Sequence, residues 1–376
     1  MQKKILLCNL SYYPEVGGVE NSIRSLREAY LKKGWHVNLL VGVKNKNDRL
    51  KNSTNISYFV RNLISGKLGV VLNPIITLIQ IFYLFYKARN ENYDICICRN
   101  QILSSIGLLF FKKKLIYVAP GFAFMQQNSN NLDNSFKRKL SRFINKKLDY
   151  ITLKYSYRIF VFSENMANQA KQIYPLCKKK LFIVNPGVDT NRFTPSLSID
   201  IKTKLKERYK IVQNDILIIC VGRLVKAKGF DYVINAMSIL PEKYKCLIVG
   251  NGPEYTNLNK TIQRLSLQDR VTIITNCSQP EMIYPLGHIF IMSSVYEPFG
   301  QTILEAMSCN LSIIAFTPSN KVITATKEIC GEKAIYVELN YNSLAEAILN
   351  APLNKNTREF VKSNYSWDKL SSDLVS

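Results

Sequence analysis

Histidine is nearly absent from this chain, with only His36 and His288 among 376 residues. The nine cysteines are scattered, and none stands at a zinc-type spacing; Cys96 and Cys98 merely alternate within an apolar stretch. A zinc centre is therefore not expected, and no other metal is called for. The thiols read as reduced and mostly buried, which suits a cytoplasmic setting. A secretory leader is not expected either, because Met1-Gln2-Lys3-Lys4 runs into a short apolar strand, not a long hydrophobic region with a cleavage site. There is no short internal repeat and no low-complexity tract.

Acidic residues are scarce as well: 27 Asp/Glu stand against 51 Lys/Arg, a formal net charge of +24. The imbalance is concentrated. Residues 1–200 hold 31 Lys/Arg against 11 Asp/Glu, and residues 201–376 hold 20 against 16. A basic first half suits an anionic partner, either an anionic lipid surface, a pyrophosphate-linked acceptor or a nucleic acid. No nucleic-acid motif accompanies the charge, so no nucleic acid is expected as a partner.

The chain is 47% hydrophobic, enough for a sizeable core, and its length allows two domains of ordinary size. Apolar strand patterns fall at residues 4–10, 36–43, 94–98, 114–119 and 157–163. They recur at 216–221, 245–249, 271–275, 289–292 and 312–315. Helical patterns lie between them, as at 19–33, which ends at Gly34, and at 230–240. Such alternation predicts parallel sheets covered on both faces. The fold class is α/β, with two Rossmann-like domains whose ligands bind beyond the strand C-termini, in the crevice between domains. Thr194-Pro195-Ser196 interrupts the apolar pattern, which places the domains at 1–192 and 193–376.

Two segments of the first half bear on a membrane. Residues 68–86 carry no formal charge, but Asn73, Pro74, Thr77 and Gln80 argue against a span. The segment reads as a helix packed on the first sheet, with an interfacial helix as the alternative. In residues 136–155, Phe136, Leu140, Phe143, Ile144, Ile151 and Tyr155 share one helical side. Lys137, Arg138, Lys139, Arg142, Lys146 and Lys147 surround them. Six cations with no acid among them suit anionic headgroups, at about 1 kcal/mol per surface cation. The plainer alternative is a solvated basic helix face.

The most specific stretch is Ser294-Val295-Tyr296-Glu297-Pro298-Phe299-Gly300-Gln301-Thr302-Ile303-Leu304-Glu305. One carboxylate lies in a Pro/Gly turn. The other lies one to two turns into a helix predicted to open near Gln301. Amides at that helix start favour an anion, and carboxylates accept hydroxyl groups, so the pattern suits a sugar nucleotide. This segment resembles the Glu-x7-Glu motif of retaining glycosyltransferases of family 4, which have the GT-B fold. Other segments resemble the same family in the same order. They are Glu15-Val16-Gly17-Gly18, Asn185-Pro186-Gly187-Val188-Asp189, Val221-Gly222-Arg223 with Lys228-Gly229-Phe230, Val249-Gly250-Asn251-Gly252, and Ser366-Trp367.

The resemblance implies a GT-B fold with two sheets facing a cleft and a C-terminal helix returning to the first domain. It implies that Arg223 and Lys228 bind the donor diphosphate and that Glu297 lies by the donor sugar. Glu305 would hold the ribose hydroxyls, with Gly17, Gly18, Gly222, Asn251, Phe299, Gly300, Gln301 and Thr302 contributing mainly backbone. The reaction implied is transfer of a sugar from a nucleoside diphosphate, with retention and without a metal, to a lipid-linked acceptor on the cytoplasmic side of the membrane. The charge of residues 137–147 would face that membrane or acceptor. Two departures stand out. The family's usual His-Gly pair in the first domain is replaced by Ala119-Pro120-Gly121, and Asn310 stands where a glycine is usual. A non-catalytic sugar-nucleotide binder and a sugar-nucleotide epimerase on the same fold therefore stay open.

Overall fold

The structure, a computed structural model, describes residues 2–13, 18–49, 55–122, 136–353 and 356–376; the side chains of residues 136–138 are also outside the description. The chain forms two compact units, Met1–Gly187 with Trp367–Ser376, and Val188–Ser366. The division thus falls slightly before the expected 192/193 boundary. The last ten residues belong to the first unit.

The strands of the first unit are β1 (Lys4–Asn9), β2 (His36–Val43), β3 (Ile56–Val60), β4 (Ile95–Cys98), β5 (Leu115–Val118), β6 (Arg158–Val161) and β7 (Leu181–Ile183). They form one parallel sheet in the order β3-β2-β1-β4-β5-β6-β7. The central strands are apolar at nearly every position because helices cover both faces. The helices are α1 (Gly18–Lys32), α2 (Gly66–Ala88), α3 (Gln101–Phe111), α4 (Phe136–Tyr155) and α5 (Glu164–Ile173). Helix α1 buries Ile23, Leu26, Ala29 and Tyr30 on one stripe and stops at Gly34, whose φ is 76°. There Trp35 N donates to Tyr30 O and Gly34 N to Leu31 O, the pair of bonds that closes a helix on a left-handed residue. Asn100 and Ser163 cap α3 and α5 through their side-chain oxygens.

The second unit repeats the plan with strands β8 (Ile216–Val221), β9 (Tyr244–Val249), β10 (Val271–Ile274), β11 (Ile289–Met292), β13 (Ser312–Phe316) and β15 (Ala334–Val337). Their sheet is also parallel, in the order β10-β9-β8-β11-β13-β15. A separate small pairing joins β12 (Tyr296–Glu297) to β14 (Ile323–Thr324). The helices are α6 (Ile199–Arg208), α7 (Phe230–Met237), α8 (Tyr255–Arg264), α9 (Gln301–Ser308), α10 (Thr326–Cys330), α11 (Tyr341–Leu349) and α12 (Arg358–Asn364). The closing helix α13 (Trp367–Asp373) returns to the first unit and packs on α1. Lys33 Nζ ties it there by donating to Asp368 O and to the hydroxyls of Ser371 and Ser372.

Candidate functional site

The site of the second unit is assembled from loops that leave the C-terminal ends of β8, β9 and β11. After β8, Gly222 N donates to Val249 O and Leu224 N to Asn251 O, so this loop lies along the one after β9. A tight turn at Lys226–Lys228 follows and ends at Gly229, which opens α7 at φ 60°. A Cβ at Gly229 would lie 2.2 Å from Ser293 O, so both conformation and space demand glycine there. The loop after β11 straps the turn from above: Ser293 Oγ donates to Lys228 O (2.7 Å) and Val295 N to Ala227 O (2.9 Å). Gly222 leaves room for the stem of Lys228, whose Cε would stand 3.2 Å from a Cβ at that position.

These constraints deliver Lys228 Nζ to Glu297 Oε2 in a direct ion pair. Both side chains are largely buried, with 18% and 14% exposure, so the pair is much less screened than a surface one. Glu297 is held by β12, since Ile323 N donates to Val295 O and Ala325 N to Glu297 O. Gly300, at φ 91°, then turns the chain into α9. Phe299 is buried, and Gln301 and Thr302 form the first turn of α9 beside the same loop. Thr302 Oγ1 is buried and has no hydrogen-bond partner among the described residues. The positive end of the α9 dipole lies at this loop.

Glu305, within α9, is only 8% exposed and accepts a 2.7 Å bond from the Tyr284 hydroxyl. Burial pushes its carboxyl up to about 7, opposed by the Tyr284 bond and by the charge of Arg192. Arg192 itself pairs with Glu281 at 2.9 Å. Sequence reasoning missed Tyr284, Arg192 and Ser293. They come from three separate loops, and no motif spacing signals them.

Lys228 and Glu297 are thus brought together, and Gly222 lies against Lys228. Arg223 follows in the same loop, exposed, with no ion pair among the described residues. Asn251 is exposed and bonded through Nδ2 to Asn276 Oδ1. Gly18 is exposed at the start of α1, in the first unit, and Gly17 lies outside the described residues. Lys137 and Arg138 fall in α4, but their side chains lie outside the described ones. Lys139, Lys146 and Lys147 are exposed and Arg142 is half-buried. Ala119 is buried just beyond β5, and Asn310 takes the left-handed conformation at φ 62°. His288 accepts a hydrogen bond at Nδ1 from Leu217 N, a structural role.

The first unit has a groove of about 760 Å³ at the C-terminal edge of its sheet. It is formed by the loops after β1, β2 and β3 with α2, and its lining joins Asn45, Arg61 and Asn62 to apolar Ile64, Val70 and Leu78. Register also makes a cluster that spacing does not reveal. Cys8 on β1 faces Cys98 on β4, and the sulfurs of Cys8, Cys96 and Cys98 lie within 4.8 Å of one another. All three are fully buried in an apolar core with Leu6, Phe85 and Leu103. Burial pushes the Cys8 and Cys96 thiols well up, as for small apolar packing groups.

Residues 16–192 match the family described as Glycosyltransferase Family 4, and residues 201–365 match Glycosyl transferases group 1. An uncharacterized glycosyltransferase of Methanocaldococcus jannaschii is 24% identical over 61% of this chain, which covers 61% of that protein's length. One component of the human phosphatidylinositol N-acetylglucosaminyltransferase is 31% identical over 41% of the chain and 34% of its own length. The crystal structure of Anabaena HepE in complex with UDP and glucose shares the fold, with a TM-score of 0.77 at 17% identity, covering 100% of this chain and 98% of that one.

Proposed function

Because this chain belongs to the family 4 glycosyltransferases, with the GT-B fold, we propose that it transfers a sugar from a nucleoside diphosphate to a hydroxyl of a lipid-linked saccharide, retaining anomeric configuration, in the synthesis of a surface polysaccharide. The observation that carries this reading is the partly buried Lys228–Glu297 pair, set in a loop that glycine and two strap bonds hold rigid. A nucleoside diphosphate leaving group gains negative charge as the sugar departs. Arg223, Lys228 and the N-terminus of α9 are assigned to stabilise that charge, and preorganised donors of this kind are a large part of catalysis. With Arg223 and Lys228 in the loop, diphosphate neutralisation is assigned to protein groups and not to a metal. Glu297 contacts the donor sugar, and Glu305 accepts the ribose hydroxyls.

The lipid-linked acceptor is supported by three observations. The groove of the first unit joins an apolar wall to Arg61 and three asparagines, Asn45, Asn62 and Asn73. Lys139, Lys146 and Lys147 of α4 face solvent on the same unit. The human relative's name is that of a phosphatidylinositol-modifying transferase. The reading puts the protein in the cytoplasm, peripherally on the inner face of the cell membrane. Thermal stabilisation by UDP, GDP, ADP and CMP and their sugars, with an Arg223→Ala/Lys228→Ala variant beside the wild type, tests the donor site. One nucleotide family is expected to shift the wild type and not the variant. Absence of any shift in folded protein overturns the transferase reading. A shift without transfer to any lipid-linked acceptor favours the non-catalytic binder, for which the Ala119-Pro120-Gly121 departure speaks.

A further inference from the structure

Helix α2 is held to its unit by one narrow stripe. Gly69, Thr77, Ile81 and Phe85 are buried, Gln80 bonds the edge strand β3, and Asn73 bonds the loop that follows it. Asn73 Oδ1 accepts from Leu63 N and Ile64 N, and its Nδ2 donates to Ile64 O; Gln80 bonds both N and O of Val60. The opposite side is apolar and open to solvent: Val70 is 78% exposed and Ile79 63%, with Val71, Ile75, Phe82 and Tyr83 alongside. The patch continues onto α3, where Leu109 is exposed and Phe110 packs edge-on against Phe82. The helix is long and apolar enough to cross a membrane, but crossing would break the bonds of Asn73 and Gln80 and carry both into hydrocarbon. It is about 35 Å long.

Charge identifies what covers this face. Helices α2, α3 and α4 carry a single acid, Asp149, which is fully buried. Lys67, Lys87 and Arg89 stand at the two ends of α2, Lys112 and Lys113 follow α3, and Arg89 lies over the Tyr86 ring at 3.9 Å. Helix α3 packs against both α2 and α4, so the basic side of α4 belongs to the same helical layer. A second copy of this chain would bring two basic surfaces together. An anionic bilayer would not.

We propose that α2 is an in-plane membrane anchor: its exposed face enters the acyl boundary of an anionic leaflet while the flanking cations meet the headgroups. The proposal deepens the membrane part of the reading above, which rested on the α4 cations, by supplying its apolar half. An apolar anchor resists salt, whereas a purely electrostatic contact does not.

The test is flotation of the full chain with phosphatidylcholine vesicles, with and without phosphatidylglycerol, at low and high salt. A Val71→Gln/Ile75→Gln/Ile79→Gln/Phe82→Gln variant is run in parallel. Wild type is expected to stay on phosphatidylglycerol vesicles at high salt, and the variant to lose on the order of tenfold or more of its partition while keeping its thermal transition and nucleotide shift. In Ile79→Trp, brominated acyl chains are expected to quench fluorescence beyond that of Trp35 and Trp367. Release of wild type by salt, unchanged partition of the glutamine variant, or no added quenching in Ile79→Trp would each overturn the anchor. A lipid-free dimer that the glutamine substitutions dissociate, with vesicle binding intact, would assign the face to a second copy instead. Sugar transfer to a soluble acceptor with α2-dependent flotation preserved would remove the lipid-acceptor reading and leave the anchor standing.

Discussion

The two units use charge and apolar surface in opposite ways. In the second, Lys228 meets Glu297 in a nearly buried pair that two strap bonds align. In the first, cations are many, acids few, and α2 turns a row of large apolar side chains outward. Placed groups suit a ligand of fixed shape, whereas a broad apolar face with diffuse cations suits a fluid surface whose headgroups rearrange. If that contrast holds, substitutions in the second unit should change turnover or folding and leave vesicle binding alone. Substitutions on the open side of α2 and on the α4 cations should weaken vesicle binding and leave folding and nucleotide binding alone.

Lys228→Ala should sharpen the contrast most. In the proposed reaction it removes a cation from the leaving group, and it leaves the Glu297 carboxylate without its partner. Turnover is expected to fall by about 10²–10³, measured as initial rate once the donor is known, with vesicle flotation unchanged. Equal losses of both would show that the two regions do not act separately.

Gly229→Ala tests the scaffold beneath that pair. A side chain there meets both an unfavourable φ and the Ser293 carbonyl oxygen, so about 3 kcal/mol of stability should be lost in denaturant titration. Ile79→Gln, on the open side of α2, should change stability by no more than about 0.5 kcal/mol. A comparable loss at Ile79 would mean that α2 is covered within the protein.

The same contrast explains what could be read before the structure. Strands β1, β2, β8, β9 and β11 are legible as apolar runs because both of their faces are buried. Strands β3, β7 and β15 were not predicted. They are short, lie at sheet edges and leave part of their length half-buried or exposed, so their pattern fades. The left-handed turn at Asn310 follows from residue type. The Cys8–Cys96–Cys98 cluster does not, because strand register creates it. For α2 the sequence indicates a helix but not its exposure. When nearly every position is apolar, no periodicity marks the side that faces the sheet, and the expectation of a helix packed on the sheet holds only for the Thr77–Ile81–Phe85 stripe.

Neutralising Lys139, Lys146 and Lys147 to glutamine tests the electrostatic half of the membrane face. At about 1 kcal/mol per cation, binding to phosphatidylglycerol vesicles should weaken by about 3 kcal/mol, on the order of 100-fold at low salt, with the nucleotide-induced thermal shift unchanged. Persistence of full binding would assign attachment to α2 alone.

A pH-dependent effect is expected of Glu305. Burial raises its carboxyl to about 7 without ligand, above the value near 4.3 of an exposed glutamate. Between those two values the folded state holds a proton that the unfolded state has released. Glu305 therefore contributes stability that is present in full below the lower value and lost as pH rises through about 7. In the proposed site the ribose hydroxyls need the ionised Glu305 carboxylate as acceptor, so donor binding should release a proton and tighten as pH rises through the same range. Below pH 7 affinity should fall by up to about tenfold per pH unit, read by calorimetry at several pH values. Glu305→Gln should flatten that profile while lowering affinity at pH 8, because an amide cannot replace the carboxylate in accepting from Tyr284 and two hydroxyls together. A pH profile identical in wild type and Glu305→Gln would place the ribose elsewhere and leave Glu305 as a buried partner of Tyr284.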